Sequence, residues 1–406
     1  MFPSDAHRTR YGDEGLTRAR LMVGSALVLA GVLDAAVVLG RPNALTSGAG
    51  SPPTGSVPVT LRVAGETDGR VPWSRPLALT AHWGTVKGVR VTSRDGVVGG
   101  TLRAGGWTSG AALVPSTAYR LQAFLSDPDG RVVEVDRTVT TGRASSAVRV
   151  VLSPDLRTVG IASPIIARFD HPVLGAAARA AAVARLKVTT NPPVEGGWHW
   201  TDSHEAHYRG RSYWTPGTRI RVDADLHGLH LPGTATWGAE GRHTATTTIG
   251  EAVVSTVDVT AHTMTVRRNG AVLRTLPVST GSTKYPTKGG VHIVLELQRV
   301  QIFDSATVGI PRSSPDGYLE RLPYSVRISD GGAFVHANPA TTRFQGRLNV
   351  SHGCVNLSLP DAAWFFSVAR RGDVVDVIHA AVPPVLSDPG MADWNTPFDR
   401  WRQPDR

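Results

Sequence analysis

NVSHGCVN, residues 349–356, contains the only cysteine of this 406-residue chain, Cys354, with His352 two positions before it. Upstream, GGAFVHAN (residues 331–338) supplies a second histidine, His336, behind a short apolar run. A thiol becomes a strong nucleophile as the thiolate, and a nearby imidazole is the usual group that takes its proton. The arrangement therefore predicts a cysteine nucleophile with a histidine base. The alternative is a buried, inert structural cysteine.

The spacing of these residues is specific. His336 is followed, after fourteen residues, by Ser351-His352-Gly353-Cys354-Val355-Asn356. This pattern resembles the signature of the YkuD-type L,D-transpeptidase catalytic domain, whose family cross-links peptidoglycan in bacterial cell walls. The likeness covers roughly residues 251–379. The actinobacterial, mycobacterial-type branch of this family carries Ig-like domains ahead of the catalytic domain, and such domains would account for most of the remaining chain.

The resemblance and the chemistry together assign roles. Cys354 is the expected nucleophile and His336 the expected base. Because Gly353 permits close backbone approach, the N–H groups of Gly353 and Cys354 are candidate oxyanion donors. By resemblance, the Tyr318 hydroxyl adds a donor from a lid. No acidic residue stands where one would orient His336, so a backbone carbonyl near Ala337 is expected to do so, as in relatives.

Three motif residues keep more than one interpretation. His352 is a second base, an electrostatic partner or a structural prop, and we favour the supporting role. Ser351 and Asn356 are assigned to loop architecture and hydrogen bonding, and each is equally consistent with an ordinary satisfied polar group.

The reaction implied by the resemblance is a double acyl transfer on peptidoglycan stem peptides. Cys354 attacks the carbonyl between the third residue of a donor tetrapeptide and its terminal D-Ala, D-Ala leaves, and a thioester remains. A side-chain amine of the acceptor stem's third residue then resolves it as a 3→3 cross-link. Family members are acylated at this cysteine by carbapenems, which the resemblance implies here too. No cofactor is expected.

Other functions use the same residues. Water as acceptor would make the protein an L,D-carboxypeptidase, and a protein acceptor would make it an attachment enzyme. A zinc site built from His336, His352 and Cys354 is a rival of another class. A wall-binding Ig array with an inactive catalytic domain is the third alternative, which the complete motif disfavours.

Composition fits an exported globular protein. Charged residues make up 19% and apolar residues 41%, so the chain is globular and not disordered. Lysine and arginine exceed aspartate and glutamate by 43 − 33 = 10, which suits an anionic membrane surface or wall polymer. No basic cluster with interleaved aromatics is present, so nucleic acid is not an expected partner. A single cysteine excludes an internal disulfide.

The N-terminal region predicts export. Residues 21–40 form an apolar run that would just span a bilayer, with arginines in residues 1–20 on the cytoplasmic side. Asp34 interrupts its second half, and residues 21–33 alone also fit a signal-peptide core. We favour an uncleaved plasma-membrane anchor over a cleaved signal. Either way the catalytic domain is expected to face the cell wall. Residues 41–56, rich in Pro, Gly, Ser and Ala, are typical of a flexible linker.

The middle of the chain is rich in β-type segments. Period-two runs separated by Asp-Gly turns predict an antiparallel sandwich up to about residue 152, in which Tyr119 resembles the corner tyrosine of Ig-like domains. A second unit of the same kind follows, with a short helix over residues 175–186 and Tyr213-Trp214 in a strand. Its five histidines match no metal-ligand spacing. These modules are expected to space the catalytic domain from the membrane, and glycan binding is a lesser alternative.

The last part of the chain is again strand-rich. Asn269-Gly270 predicts a type I′ hairpin, residues 301–325 lack periodicity and are expected to form the lid, and a helix is predicted over Asp361–Arg371. Trp394, Phe398 and Trp401 are spaced as one face of a short helix, expected to pack on the catalytic domain.

The predicted fold is therefore mainly β, with two Ig-like sandwiches, a YkuD-type catalytic domain and a C-terminal tail. The predicted boundaries are 1–20 (cytoplasmic), 21–40 (anchor or signal), 41–56 (linker), 57–152 (first Ig-like domain), 153–250 (second Ig-like domain), 251–379 (catalytic domain) and 380–406 (tail).

Overall fold

The computed structural model describes residues 58–155 and 157–403. The predicted cytoplasmic segment, anchor and linker (residues 1–56) lie outside this range. Among the described residues, no helix combines the length and apolar character needed to cross a bilayer.

The first module is a sandwich of two sheets, in the orders β1-β3-β7-β6 and β2-β9-β8-β4-β5. Leu79, Trp107 and Leu121 fill the space between the sheets. The Tyr119 hydroxyl accepts a hydrogen bond from the Val114 N–H (2.8 Å), five residues upstream, as a corner tyrosine does. The strands are β1 (Thr60–Val63), β2 (Arg70–Val71), β3 (Pro76–His82), β4 (Thr85–Ser93), β5 (Gly96–Val97), β6 (Gly100–Arg103), β7 (Gly106–Ala112), β8 (Ala118–Ser126) and β9 (Val132–Thr141).

The second module packs sheet β11-β13-β16-β15 and sheet β12-β19-β17-β14 around Phe169, Trp214 and Val222. β10 and β18 form a separate two-stranded parallel sheet. Both β10 and β11 begin before residue 153, the predicted start of this domain, but pair with strands of this module. Its elements are β10 (Ser146–Val148), β11 (Val150–Ser153), β12 (Thr158–Val159), β13 (Ile165–Phe169), α1 (Ala176–Val183), β14 (Leu186–Asn191), β15 (Gly196–Trp200), β16 (Glu205–Gly210), β17 (Arg219–Asp225), β18 (Thr236–Gly238) and β19 (Arg242–Ile249).

One strand prediction in this module is wrong. Tyr213 and Trp214 lie in the connection between β16 and β17. Trp214 is nevertheless buried, and its indole N–H donates to the Ser163 carbonyl (2.8 Å). An irregular segment thus buries aromatic side chains that the sequence pattern attributes to a strand.

The third module contains sheets β22-β21-β20-β28-β23 and β24-β25-β26-β27, packed face to face around Met264, Val335 and Val355. Its elements are β20 (Val253–Asp258), β21 (Thr263–Arg268), β22 (Ala271–Pro277), β23 (Gly290–Ile293), β24 (Glu296–Asp304), a 3₁₀ helix (Ser305–Val308), β25 (Leu319–Arg327), β26 (Phe334–Ala337), a second 3₁₀ helix (Pro339–Phe344), β27 (Val355–Leu357), α2 (Leu359–Val368) and β28 (Val374–Ile378). The tail adds α3 (Pro389–Asn395) and α4 (Phe398–Trp401).

The hairpin prediction in this module is confirmed. Asn269 and Gly270 alone connect β21 to β22, and both have positive φ (49° and 85°), as a type I′ turn requires. The lid differs from the expectation. It is largely a long hairpin, in which β24 and β25 pair as far as Asp304 and Leu319. Only residues 305–318 form an irregular tip.

The helix predicted to run to Arg371 ends earlier, at Val368. Ser358 caps its start by accepting the Asp361 N–H (3.3 Å), as its sequence predicts. Ala369 is extended, and the Asp373 carboxylate accepts the Arg370 N–H (2.8 Å). This side-chain contact closes the turn that leads through Gly372 into β28.

The tail prediction is wrong in placing the three aromatic residues on one helix, whereas the expected packing on the catalytic domain is confirmed, for example by the Val291 N–H that donates to the Asn395 side-chain oxygen (3.0 Å). Trp394 lies on α3, whereas Phe398 and Trp401 lie on α4. Pro397 separates the helices because it has no N–H with which to continue one. The tail also packs extensively on the second sandwich, where the Arg209 guanidinium lies 4.8 Å from the ring centroids of both tryptophans.

Candidate active site

The loop before β27 carries Cys354. The Ser351 hydroxyl donates to the Cys354 carbonyl (2.6 Å) and accepts the Gly353 N–H (3.1 Å), which closes a tight turn around the cysteine. Gly353 has φ of +116°, a conformation that favours glycine. The Cys354 Sγ lies 3.9 Å from the Gly332 carbonyl oxygen. Ser351 therefore holds the loop by its own hydrogen bonds.

His336 lies on β26, and β26 runs parallel to β27. Their register sets Val335 opposite Val355 and His336 opposite Asn356, so the imidazole comes to the same end of the sheet as Cys354. The His336 side chain is buried, with 3% exposed. Its Nδ1–H donates to the Ala337 carbonyl (3.0 Å), which is the orienting contact expected from the sequence. Nε2 is then the nitrogen with a free lone pair.

Burial keeps both reactive groups neutral. Desolvation lowers the pKa of His336 to about 4, because the backbone contact only partly offsets it. Desolvation also raises the pKa of the Cys354 thiol, despite a hydrogen bond from the Phe334 backbone. Within the described residues no hydrogen bond joins the thiol to the imidazole. The resting pair is thiol plus imidazole, so proton transfer must accompany attack on a substrate.

His352 is held between two tyrosines. Its ring centroid lies 4.7 Å from that of Tyr285 and 5.0 Å from that of Tyr318 on the lid. The Asp316 carboxylate, at the lid tip, accepts hydrogen bonds from the Tyr285 hydroxyl (3.1 Å) and the Lys284 ammonium. These contacts attach the lid to the loop beneath it. The lysine–aspartate pair gave no sequence signal, since its members are 32 positions apart.

The candidate oxyanion donors differ in availability. The Gly353 N–H is already donated to Ser351, whereas the Cys354 N–H has no hydrogen-bond partner in the part of the chain that the structure describes. The Tyr318 ring faces the same space, and burial followed by the Cys354 charge raises the pKa of its hydroxyl. A protonated phenol can donate. The Cys354 N–H and the Tyr318 hydroxyl are therefore the better pair.

Asn356 lies on β27 with 2% of its surface exposed. Its Nδ2 donates to Thr341 Oγ1 (3.2 Å), while its Oδ1 has no partner among the described residues. A buried acceptor without a donor is costly in a folded protein. Asn356 lines the cavity beside Cys354.

Two cavities open on Cys354, and both are also lined by Tyr318 and His352. The His336 cavity, of about 320 Å³, is further lined by Phe303, His336, Thr341 and Asn356. The Asp330 cavity, of about 480 Å³, is further lined by Tyr285, Asp330, Gly332, Asp388 and Met391. One sulfur atom can thus contact two peptide segments at once. Among the described residues no group of three His, Cys, Asp or Glu side chains is arranged to hold a metal.

Sequence reasoning missed the tail's contribution to the second cavity. The Asp388 carboxylate accepts N–H groups from Gly331 (2.8 Å) and Asp330 (3.2 Å), next to the Gly332 carbonyl that contacts the thiol. Asp388 also caps α3 through the Gly390 N–H (3.0 Å). An aspartate before proline resembles an ordinary helix cap, so its contact with the active-site loop had no signal in the sequence.

Comparison with known proteins gives a consistent result. Residues 252–377 match the profile described as the L,D-transpeptidase catalytic domain (YkuD), and residues 68–230 match the bacterial Ig domain profile. The chain is 33% identical to L,D-transpeptidase 2 of Mycobacterium tuberculosis over 398 residues, which cover 96% of each protein. It is 32% identical to L,D-transpeptidase 5 of the same species over 81% of this chain and 70% of the relative.

Among solved structures, the L,D-transpeptidase LdtMt1 in complex with imipenem is 34% identical, with a TM-score of 0.49 over 57% of this chain and 99% of that one. The near-complete match to a relative above 30% identity decides the family. The chain belongs to the L,D-transpeptidases, with Ig-like domains preceding a YkuD catalytic domain.

Proposed function

We propose that this L,D-transpeptidase forms 3→3 peptidoglycan cross-links with Cys354 as nucleophile and His336 as base. The observation that carries the assignment is the opening of Cys354 on two cavities, one of which contains the imidazole. A transferase needs room for a donor and an acceptor at the same atom, and this arrangement supplies it.

The first half-reaction begins with attack of the Cys354 sulfur on the carbonyl between the third residue and D-Ala. The thiol proton passes to His336 Nε2, and the oxyanion accepts hydrogen bonds from the Cys354 N–H and the Tyr318 hydroxyl. As the C–N bond breaks, His336 returns the proton to the departing D-Ala amine. The thioester and a neutral imidazole remain.

In the second half-reaction His336 moves protons in the opposite direction, from the amine to the sulfur. An acceptor amine attacks the thioester carbonyl, His336 takes its proton, and the thiolate leaves and is reprotonated. The amine of the departing D-Ala and the amine of the acceptor both exchange a proton with His336. By microscopic reversibility, both amines therefore bind in the His336 cavity. The acyl part of the donor stem then occupies the Asp330 cavity.

Carbapenem acylation is part of the proposal. The solved relative LdtMt1 binds imipenem. A strained β-lactam carbonyl presented to Cys354 meets the same nucleophile, base and donors, and we infer a covalent adduct at this sulfur.

The proposed reaction on peptidoglycan, together with the match to relatives named L,D-transpeptidase, places the chain in the cell envelope. We also propose that residues 21–40 anchor it in the plasma membrane, on the basis of their apolar length and the flanking arginines. The predicted domain boundaries belong to this proposal, with the start of the second sandwich moved to include β10 and β11.

Mass spectrometry of the intact protein tests the mechanism. Incubation with a disaccharide-tetrapeptide should add the donor minus D-Ala to wild type but not to Cys354→Ser, and an added amine acceptor should discharge it as a 3→3 product. A matched pentapeptide should give no 4→3 product. A 4→3 linkage, or an adduct on another residue, would contradict the assignment. Discharge by water alone, in the presence of acceptor, would favour the carboxypeptidase.

A further inference from the structure

Asp330 lies close to the nucleophile on the loop between β25 and β26. It is two positions before Gly332, whose carbonyl oxygen is 3.9 Å from the Cys354 sulfur. Since two residues span at most about 7 Å, the Asp330 backbone lies within that distance of the residue in contact with the thiol. Its side chain lines the Asp330 cavity.

The Asp330 carboxylate has few partners. The Asp330 backbone N–H donates to the Asp388 carboxylate, which also accepts the backbone N–H groups of Gly331 and Gly390. The Arg327 guanidinium donates to the carbonyls of Ser329 (3.0 Å) and Asp330 (2.8 Å). It approaches the Asp330 carboxylate only to 4.0 Å, and no hydrogen bond to this carboxylate is found in the described residues.

The charge of the cavity favours a cation. Its lining contains two carboxylates, Asp330 and Asp388, against one ammonium, Lys288. Partial desolvation and then the neighbouring charge of Asp388 raise the pKa of Asp330. A bound cation would offset both effects by stabilising the ionised carboxylate. With 59% of its side chain exposed, Asp330 is accessible to a ligand that enters the cavity.

We propose that Asp330 recognises the donor stem by binding the side-chain ammonium of its third residue. This inference rests on the proposed function, in which the donor's acyl part occupies the Asp330 cavity. The third residue of the donor stem carries the carbonyl attacked by Cys354, so its side chain starts on the residue that is bonded to the sulfur in the thioester. The Asp330 carboxylate, on the loop that contacts this sulfur, binds the ammonium group at the end of that side chain.

Kinetics of thioester formation test the proposal with two donors. One is a disaccharide-tetrapeptide with a free third-residue side-chain amine, and the other is the same donor with that amine formylated. Wild type should prefer the free amine by about tenfold in KM, between the value of an exposed ion pair and that of a charge-assisted hydrogen bond. Asp330→Asn should raise KM for the free amine about tenfold, leave kcat within about twofold, and treat both donors alike.

Matched variants separate the local charge of Asp330 from the overall charge of the protein. Glu134→Gln makes the same change in charge at an exposed residue on β9 of the first sandwich, and it should leave the donor KM unchanged. Asp330→Glu should restore part of the preference, and thermal unfolding should show equal stability for all three variants. Equal KM for both donors with wild type, an unchanged donor preference in Asp330→Asn, or a larger donor effect in Glu134→Gln would overturn the inference. Absence of any thioester with wild type would instead overturn the proposed function.

Discussion

The neutrality of the resting pair gives a sharp prediction about pH. The ordinary pKa of histidine is about 6.5, and burial lowers that of His336 to about 4. The imidazole therefore stays competent as a base down to mildly acidic pH. We expect kcat/KM for thioester formation to be level between about pH 5 and 8, and to fall about tenfold per pH unit only below about pH 4.

The same shift affects stability. Between pH 6.5 and about 4 the unfolded chain takes up a proton that folded His336 does not bind. Stability is therefore fully present above pH 6.5 and declines as the pH falls towards 4. The difference corresponds to about 3 kcal/mol, from about 1.4 kcal/mol per pH unit. Circular dichroism at each pH separates this effect from loss of activity by unfolding.

The thiol gives an independent readout. Thiolate absorbs in the far ultraviolet more strongly than thiol, and the difference spectrum between wild type and Cys354→Ala isolates this group. Because burial raises the pKa of Cys354, we expect no thiolate signal at about pH 8. A thiolate signal at neutral pH would show a preformed thiolate–imidazolium pair, and an acid limb of the rate profile near the ordinary histidine pKa would show that burial does not lower the pKa of His336. Either result would refute the reasoning.

Other expectations follow from individual side chains. Cys354→Ala should abolish transfer while keeping the unfolding midpoint, and measurable turnover by a folded variant would exclude the thioester. His336→Gln should slow acylation by roughly 10²–10⁴-fold in stopped-flow assays. His352→Ala should cost less, because that ring is held by Tyr285 and Tyr318, and a larger loss at His352 would reverse the two roles. His207→Ala should lower the free energy of unfolding by about 3–5 kcal/mol in urea titrations, since the buried Asp393 carboxylate loses its hydrogen-bonded cation and Glu205 keeps only Arg168, and a change below about 1 kcal/mol would exclude a structural ion pair.

The sequence predicted features that depend on local chemistry. The turn at Asn269-Gly270 needs only two residues that tolerate positive φ, and Tyr119 finds its partner five residues away. The loop around Cys354 could be predicted for the same reason, because Ser351 and Gly353, which form its turn, are themselves part of the motif. Such contacts are determined over a few residues, so a pattern reveals them.

Contacts between segments that are far apart in the sequence could not be predicted from it. Residue spacing placed Trp394 and Trp401 on one helix, whereas they lie on two. Periodicity also carries no information about which surface a helix packs against. In the structure, their partner Arg209 lies far away in the sequence, on β16, and the Trp401 indole donates to the Gly197 carbonyl (3.0 Å). The Asp388 contact with the Gly331 N–H likewise depends on how the tail folds back.

These distant contacts change the view of the second sandwich as a simple spacer. His207, on β16, is buried between Glu205 and Asp393 (2.8 Å each). Burial alone would lower its pKa, but Asp393 and Glu205 outweigh that effect and raise it to about 10, so the group is a cation at neutral pH. Asp393 lies on α3, whose N-cap Asp388 holds the Asp330–Gly331 backbone beside the nucleophile. A continuous series of contacts therefore connects the sandwich to one wall of the active site, and the module supports the geometry of the site.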